Sequence, residues 1–421
     1  MKKSSFFLLL FAFSALGETQ AILNVRILPV MAAPIERGTL LIKDGKIAAL
    51  GVKVALPPGT VKIDGTGLTV YPGLVDAYTS IGMSEISSVR GSVDTNEIGP
   101  YNPQVQSWIA VNPHSEMLRT ARVNGITSAL VAPGGNAVAG TAAAIDLFGK
   151  YPDQMLLRRV GVVINVPSIY RRTGRDFEAL VAGPPDPENR RQRVAEEIAR
   201  LKQFLREAKA YAALKSVSVR HAALEAMAPV MRGEVAAICP ADHFRDIRAA
   251  VELGQEFGLK VIIAGGAEAA KVAALLKEKN VPVLYGAVNS LPRQQEDPYD
   301  VNFATPEALR RAGVRFAIVT GGGGGMGAGG AEARNLPYMA AMSAAFGLER
   351  EDALRAITLW PAELLGIADR VGSLETGKLA NLLVTKGDPL DIRSEVKYVF
   401  IEGKQVPLES RNTELYEKFV E

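Results

Sequence analysis

The middle of the chain alternates short apolar runs with longer stretches in which polar and apolar residues mix. The apolar runs have the length of buried strands and span residues 126–132, 160–166, 235–239, 261–264, 281–285 and 316–320. Strands that alternate with helices are typical of parallel sheets whose strands are joined by crossover helices. The pattern therefore predicts a closed barrel or a doubly wound sheet.

The clearest helix in the pattern covers residues 188–213, where arginine and lysine residues mix with glutamates. Charges of both signs along one helix most simply indicate a face exposed to solvent. A binding arm is the alternative. Upstream of this helix, residues 170–175 and 183–187 form an irregular insertion rich in arginine, glycine and proline. Insertions of this kind more often cover a site or a partner than build a core.

Both ends of the chain are rich in short strands and turns. Near the amino end, residues 38–51 contain two apolar runs around Asp44-Gly45, a dipeptide that predicts a tight hairpin. Residues 372–384 and 398–406 have the same texture near the carboxyl end. The two ends are therefore expected to differ in structure from the middle.

The length and the first residues suggest an exported protein of two structural units. The chain has 421 residues, which suits an α/β barrel of roughly 300 residues with a satellite of about 100. Met1-Lys2-Lys3, an apolar run over residues 4–16 and Ala15-Leu16-Gly17 have the features of a cleaved secretory signal. We therefore expect a signal peptide over residues 1–17 and a secreted or periplasmic protein. An N-terminal membrane anchor is the alternative, but the run is shorter than the ~20 residues that a span requires.

Composition and charge exclude several classes of protein. Apolar residues make up 48% and charged residues 22% of the chain, as in ordinary folded proteins. Loss of Lys2 and Lys3 with the leader lowers the formal net charge from +3 to +1, so no basic excess remains to attract nucleic acid. No other apolar stretch is long enough to cross a membrane. The single cysteine, Cys239, cannot form an internal disulfide, and we expect a small buried residue rather than a nucleophile.

Several motifs near the two ends of the chain belong together. They are residues 38–51, 63–67 and 71–76 near the amino end, and residues 353–358, 361–366 and 371–378 towards the carboxyl end. Through these motifs the chain resembles the amidohydrolase superfamily, in particular its imidazolonepropionase-like branch. The first motif is similar to that family's opening signature, the next two to the lead into the first barrel strand, and the last three to its closing signature. The resemblance covers nearly the whole sequence after the leader.

The resemblance implies a (β/α)8 TIM-type barrel with a small β-sandwich domain built from both chain ends. The expected divisions are 1–17 for the signal peptide, 18–70 with 372–421 for the composite sandwich, and 71–371 for the barrel. Working members of the family hold one or two metals with histidines from strands 1, 5 and 6 and an aspartate from strand 8. The metal activates a water molecule and the aspartate accepts its proton.

Carried over from the resemblance, these ligand positions are occupied by residues that do not supply the expected groups. The His-x-His pair of strand 1 falls on Tyr78 and Ser80, the lone histidine of strand 6 on Gly265, and the aspartate of strand 8 on Gly321. The strand 5 histidine falls near residues 240–242, so His243 is close but out of register. No bridging residue is assigned.

The histidine content of the chain supports the same interpretation without any alignment. The chain contains only His114, His221 and His243, and no two lie within five residues of each other. A His-x-His site is therefore impossible in any register. We expect no metal cofactor.

Three other arrangements remain open. Glu85, Asp94 and Glu97 could join Asp242 and His243 in an oxygen-rich site for Mg²⁺ or Ca²⁺, although carboxylates on loops are usually just solvated. The run Thr320–Gly330 could bind an anion through backbone amides, but it lacks the Lys-Ser/Thr ending of a P-loop and is more simply a flexible loop. Residues 134–140 could form a further backbone-rich loop at the site mouth.

The sequence thus predicts an exported protein of amidohydrolase fold with a degenerate metal site. Its expected role is non-catalytic, with a small-molecule ligand at the barrel mouth or a homo- or hetero-oligomer that includes a related amidohydrolase. The alternative is an active hydrolase of non-peptide C–N bonds with an atypical site that uses Asp242 and His243 and a divalent metal.

Overall fold

The structure is a computed structural model that describes residues 19–86, 88–135, 137–170, 187–216, 218–321 and 329–420. The predicted signal peptide, most of the irregular insertion and most of the glycine-rich run lie outside these residues. Among the helices of the described ranges, none combines the length and the apolar character that a membrane span requires.

The strands of the described residues form two eight-stranded sheets. In chain order the strands are β1 (Gln20–Ile27), β2 (Ile35–Lys43), β3 (Lys46–Gly51), β4 (Val61–Asp64), β5 (Thr69–Pro72), β6 (Leu74–Thr79), β7 (Ile126–Val131), β8 (Val138–Asp146), β9 (Leu156–Ile164), β10 (Ala236–Ala241), β11 (Val261–Gly265), β12 (Val283–Tyr285), β13 (Phe316–Ile318), β14 (Leu382–Lys386), β15 (Glu395–Ile401) and β16 (Lys404–Gln405).

Helices surround the second sheet, and a helix is the last element of the chain. They are α1 (Glu116–Val123), α2 (Pro152–Met155), α3 (Pro187–Ala212), α4 (Ala222–Met231), α5 (Phe244–Phe257), α6 (Ala273–Glu278), α7 (Val301–Ala312), α8 (Leu336–Ala345), α9 (Arg350–Arg355), α10 (Leu359–Leu364) and α11 (Arg411–Phe419). Short 3₁₀ turns occur at Arg90–Ser92, Ser107–Ala110, Ala269–Val272 and Gly329–Asn335. The long predicted helix is confirmed as α3, displaced by one residue at each end.

The first sheet is assembled from both ends of the chain. Its order is β16-β15-β14-β5-β1-β2-β3, with β4 also paired to β1, and β14 joins the two halves by pairing antiparallel with β5. The predicted hairpin lies between β2 and β3, with Asp44 and Gly45 both at positive φ. Ala380 links the hairpin turns at the two ends of this sheet, so the sheet curls. The Ala380 amide donates to the carbonyl of Gly45 at 2.9 Å, and the Ala380 carbonyl accepts the Gly403 amide at 3.1 Å. Apolar residues from both halves, such as Leu40 and Phe400, form one cluster inside it.

The second sheet contains strands β6 to β13 in sequence order. Its edges meet, since the Gly321 amide, just after β13, donates to the carbonyl of Tyr78 in β6 at 2.9 Å. The predicted fold class is confirmed, with one departure. Strand β8 runs antiparallel to both neighbours, because only residues 132–137 separate it from β7. A parallel connection needs a crossover of about a dozen residues.

Small and larger apolar side chains together fill the interior of the barrel. Ala77, Ala264 and Ala317 belong to one buried cluster with Leu130 and Ile238. The amino-terminal end of the interior is filled by residues of α10 and the segment after it, which contribute Ala362, Leu365, Ile367 and Val371 to that cluster. A larger apolar cluster packs the helices onto the outside of the barrel. The carboxyl ends of the strands therefore form the face on which loops can build a site.

Candidate functional site

The two carried-over positions on β6 lie at its carboxyl end, beside the end of β13. Tyr78 and Ser80 are both half-buried. The carbonyl of Tyr78 accepts the Gly321 amide, so the first and last carried-over positions are in direct contact. A phenol and a primary hydroxyl are poor replacements for two imidazoles as ligands of a catalytic transition metal.

At position 321 the main chain leaves no room for a side chain. A Cβ atom on Gly321 would lie 2.4 Å from the Tyr78 carbonyl oxygen and 3.1 Å from its ring. The first distance is far below van der Waals contact, and its neighbour is backbone rather than the end of a flexible side chain. An aspartate at this position would therefore require the ends of β6 and β13 to separate.

Asp76 holds the same two strand ends together from below. Its carboxylate is fully buried and accepts from the Thr320 amide at 3.1 Å and from the Thr320 hydroxyl. Burial raises the pKa of Asp76 to about 6, and the two bonds from Thr320 oppose that rise. Sequence reasoning did not select Asp76 as a site residue, although it lies inside the motif that leads into the first barrel strand.

Position 265 is also restricted by its backbone. Gly265 is the last residue of β11 and has φ of 96°. Positive φ of this size is strained for any residue with a Cβ. The Gly265 carbonyl accepts the Gly286 amide at 3.0 Å, which fixes this conformation against the end of β12. A histidine at 265 would be strained here.

Asp242 and His243 follow β10 and are used by the loops around them. An Asp242 carboxylate oxygen accepts the Ala267 amide at 3.3 Å, and its other oxygen lies 3.9 Å from Nη1 of Arg293. His243 is the N-cap of α5, where its Nδ1 accepts the Arg245 amide at 3.2 Å. Since Nδ1 accepts a bond, the proton of the neutral ring is on Nε2.

Glu268 faces the same histidine from the loop after β11. Its side chain is only 3% exposed, and Oε2 lies 3.8 Å from Nε2 of His243. Oε2 also accepts the Phe244 amide at 2.9 Å, while Oε1 lies 3.3 Å from Nζ of Lys271 and accepts from Gln294 at 3.4 Å. Burial alone raises the pKa of Glu268, but these donors outweigh it and the net shift is downward. Burial lowers the pKa of His243, and Glu268 partly offsets that shift.

Tyr170 covers the exposed side of this cluster. Its ring stacks on that of His243 with centroids 4.1 Å apart and planes 6° apart. Arg245 donates to the Tyr170 hydroxyl and lies over the ring, with its guanidinium carbon 5.3 Å from the centroid. Residues 171–186 of the predicted irregular insertion lie outside the described part of the chain. We use the name mouth network for Tyr170, Asp242, His243, Arg245, Glu268, Lys271, Arg293 and Gln294.

The carboxylates proposed for an oxygen-rich cation site do not gather with the mouth network. Glu85 accepts from the Asn112 amide nitrogen at 3.3 Å. Asp94 and Glu97 line a separate pocket of about 270 Å³, between the long segment after β6 and the connection from β7 to β8. Within the residues that the structure describes, no three histidine, cysteine or carboxylate side chains stand close enough to share a metal ion. The residues here therefore do not fit the metal centre that the fold family implies.

Two further expectations concern loops and the cysteine. Gly134 donates its amide to the carbonyl of Thr95 at 2.8 Å, so this loop is tied to the long segment after β6. Residues 322–328 of the glycine-rich run lie outside the described part of the chain. Cys239 is buried within β10, and burial raises the pKa of its thiol to about 12, as expected for a packing residue.

Sequence reasoning missed Glu268 because its partners are distant in the chain. Phe244 is 24 residues and Gln294 is 26 residues away from it. The available signal was a glutamate four residues after the end of an apolar run, at the carboxyl edge of a parallel sheet. Such positions are where sites form in this architecture.

Comparisons with known proteins agree with the geometry of the fold. A model of the amidohydrolase family matches residues 69–406. A solved amidohydrolase from Thermotoga maritima is 26% identical, with a TM-score of 0.78 over 92% of this chain and 99% of that one. A solved molinate hydrolase is 17% identical with a TM-score of 0.56 over 93% of this chain and 95% of its own, which supports the fold alone.

Sequence relatives point to the same family. An amidohydrolase named tasK from Hapsidospora irregularis is 21% identical over 400 residues, which cover 88% of this chain and 39% of that protein. An imidazolonepropionase from Erwinia tasmaniensis is 34% identical over 113 residues, which cover 27% of this chain and 25% of that protein. The chain thus spans well under two thirds of either relative's length. The family match over most of the sequence, together with the barrel and the composite sheet, shows that the chain belongs to the amidohydrolase family.

Proposed function

We propose that this chain is an amidohydrolase-family protein without metal-dependent hydrolysis that binds a ligand or a partner protein instead. The observation that carries the proposal is the main chain at positions 265 and 321. Gly265 has a backbone conformation that disfavours every residue with a Cβ, and at Gly321 there is no space for a Cβ atom. Both are positions where the family resemblance places a metal ligand.

The remaining carried-over positions support the same proposal. Tyr78 and Ser80 stand where two imidazoles are expected. Asp242 and His243, the polar groups nearest the strand 5 position, already receive the Ala267 and Arg245 amides. A loss that affects the ligands of three strands together is better explained by a change of role than by one altered ligand.

The mouth network gives this role a physical basis. Its side chains hold the loops after β9, β10, β11 and β12 in one arrangement. A preorganised mouth of this kind suits binding, because little ordering remains to oppose association. We further propose that residues 1–17 direct export to a secreted or periplasmic location. A related amidohydrolase, or a second copy of this chain, is the proposed partner.

A turnover assay tests the proposal. Purified protein is incubated with Zn²⁺ or Mn²⁺ and a panel of cyclic amides, ureas and amino-substituted heterocycles, with an active family member as the positive control. We expect no product above that of buffer. We also expect at least one compound or protein from the same extract to raise the melting midpoint, since binding to the folded state stabilises it.

The second candidate is a hydrolase that uses Asp242 and His243. It is favoured by the buried pair of His243 and Glu268 at the carboxyl ends of the strands, and several fold relatives are named as hydrolases. Turnover that is lost in His243→Ala would support it against our proposal. His221→Ala is the matched control, because His221 also caps a helix through Nδ1, bonding the Leu224 amide, and is exposed.

A further inference from the structure

A second concave surface lies at the opposite end of the barrel from the mouth. It is a depression of about 660 Å³ between the amino ends of β9 to β13, the end of α5 and the residues of α10. Its walls include apolar groups such as Val160 and Leu364. We call this depression the basal basin.

Three cationic side chains, at or just before the amino ends of three different strands, line the basal basin. They are Arg158 of β9, Lys260 just before β11 and Arg315 just before β13, and all three are exposed. Arg158 donates to the carbonyl of Gly366 at 3.1 Å. In the described part of the chain none of the three forms an ion pair with a carboxylate.

The other charges of the basin do not neutralise these three. Lys279 adds a fourth cation, but it is paired with Glu278 at 2.8 Å. Glu234 is paired with Arg232 at 2.5 Å, so Glu363 is the remaining carboxylate of the lining. The carboxyl end of α5 contributes a partial negative charge of about half a unit, which offsets only part of the excess. A concave surface with one dominant sign of charge concentrates the field on a ligand of opposite sign.

The spacing of the cations indicates an extended polyanion. Arg158, Lys260 and Arg315 come from β9, β11 and β13, so successive cations are two strands apart. Neighbouring strands are about 4.8 Å apart, so the backbone positions of successive cations are separated by at least roughly 10 Å. An inorganic phosphate is too small to contact all three. Carboxylates on an extended peptide recur on one face every ~7 Å, so glutamates a few residues apart would reach them in turn.

We propose that the basal basin docks an acidic, extended segment of a partner polypeptide. The inference goes beyond the proposed function and does not depend on it, because the basin and the mouth are at opposite ends of the barrel. Failure of the turnover assay to support the proposed function would leave this surface unaffected.

Binding of a labelled hexaglutamate peptide to the purified protein, measured by fluorescence anisotropy at low ionic strength, tests the proposal. Hexaglutamine is the control peptide. Lys260→Glu with Arg315→Glu should weaken hexaglutamate binding about tenfold or more, and added salt should weaken it in the wild type. Lys53→Glu with Arg90→Glu changes the net charge equally at exposed sites away from the basin, and it should bind almost as the wild type does.

Three outcomes would overturn the proposal. They are absence of hexaglutamate binding, an equal loss in the basin and control variants, and displacement of the peptide by inorganic phosphate at a similar concentration. The third result would indicate a small-anion site instead. If the charge reversals impair folding, Lys260→Gln with Arg315→Gln replaces them in the test. We then expect a smaller loss of hexaglutamate affinity in this variant, and no comparable loss in the control variant.

Discussion

At the scale of single residues, two glycines explain more of this site than any charged group does. Gly321 brings the end of β13 against the carbonyl of Tyr78, and Gly265 ends β11 with φ of 96°. Both allow a main-chain arrangement that a ligand-bearing residue would disturb. Under our proposal, a metal ligand at either position would require the main chain to move, so a single substitution is not expected to create a metal site.

Replacing Gly321 with aspartate tests this interpretation. The new Cβ would lie 2.4 Å from the Tyr78 carbonyl oxygen, and relief of such a clash typically costs about 1–3 kcal/mol. We expect the free energy of unfolding to fall by that amount in urea denaturation, with no gain of metal binding. Gly91→Asp is the control, because nothing lies within 4 Å of the position that a Cβ would take on Gly91. Equal stability of the two variants would contradict the described contact.

Glu268 allows a second test at this scale. Glu268→Ala removes the acceptor of the partly buried Phe244 amide and the partner of Lys271, so we expect the free energy of unfolding to fall by about 2–4 kcal/mol. Glu268→Gln keeps an acceptor and should lose less. The comparison is Glu36→Ala, which breaks the exposed pair with Arg26 and should change stability by at most about 1 kcal/mol. Similar losses for Glu36→Ala and Glu268→Ala in urea denaturation would show that the mouth network does not stabilise the fold.

At the scale of elements, buried aspartates join strands that the sequence keeps far apart. Asp76 of β6 binds Thr320 beyond β13. Asp146, at the end of β8, accepts from Ser128 of β7 and from Asn381 beside β14, both at 2.7 Å. The second oxygen of Asp146 is buried without a hydrogen-bond partner among the described groups. The junction between the barrel and the composite sheet thus contains a buried carboxyl group, Asp146, with only one of its two oxygens hydrogen-bonded among the described residues.

The buried carboxyl group of Asp146 at this junction predicts that the stability of the protein depends on pH. Burial raises the pKa of Asp146 from 3.8 to about 7, with Ser128 and Asn381 opposing the rise. The folded state therefore holds the Asp146 proton more tightly than the unfolded state does. The contribution of this proton to the free energy of unfolding is complete below about pH 4 and is lost as the pH rises through about 7. Asp146→Asn removes the titration and should be more stable than the wild type above pH 7, on the order of 4 kcal/mol.

The control for this prediction is the same pair of proteins at low pH. Asparagine retains an oxygen for Ser128 and Asn381, so the two proteins should have similar stability near pH 4 in guanidinium denaturation. A stability difference that does not change between pH 4 and pH 8 would show that Asp146 does not titrate as described.

The sequence predicted the elements whose signals are local. The Asp44-Gly45 turn, the charged helix α3 and six of the barrel strands follow from patterns within a few residues. Strand β8 was missed because Val138–Asp146 is rich in alanine and has no clear alternation. The ligand positions on β6, β11 and β13 came from motifs, whereas the contact between Gly321 and Tyr78 depends on how the barrel edges meet.

At the scale of the whole molecule, the chain keeps the barrel and composite sheet of its family, and our proposal is that the mouth no longer holds a metal. The Thermotoga maritima amidohydrolase matches nearly its full length to this chain, so barrel and composite sheet are present together. The mouth network and the basal basin lie at opposite ends of one barrel. This arrangement leaves two surfaces for association and suits the proposed role as a binding protein.

Metal stoichiometry tests the central claim most directly. Purified protein is stripped with a chelator, dialysed against Zn²⁺ or Mn²⁺, and analysed by inductively coupled plasma mass spectrometry, with an active family member treated in parallel. We predict well below one ion per chain, and no change in a variant that combines Asp242→Ala with His243→Ala. One or two ions per chain, lost in that variant, would contradict the account.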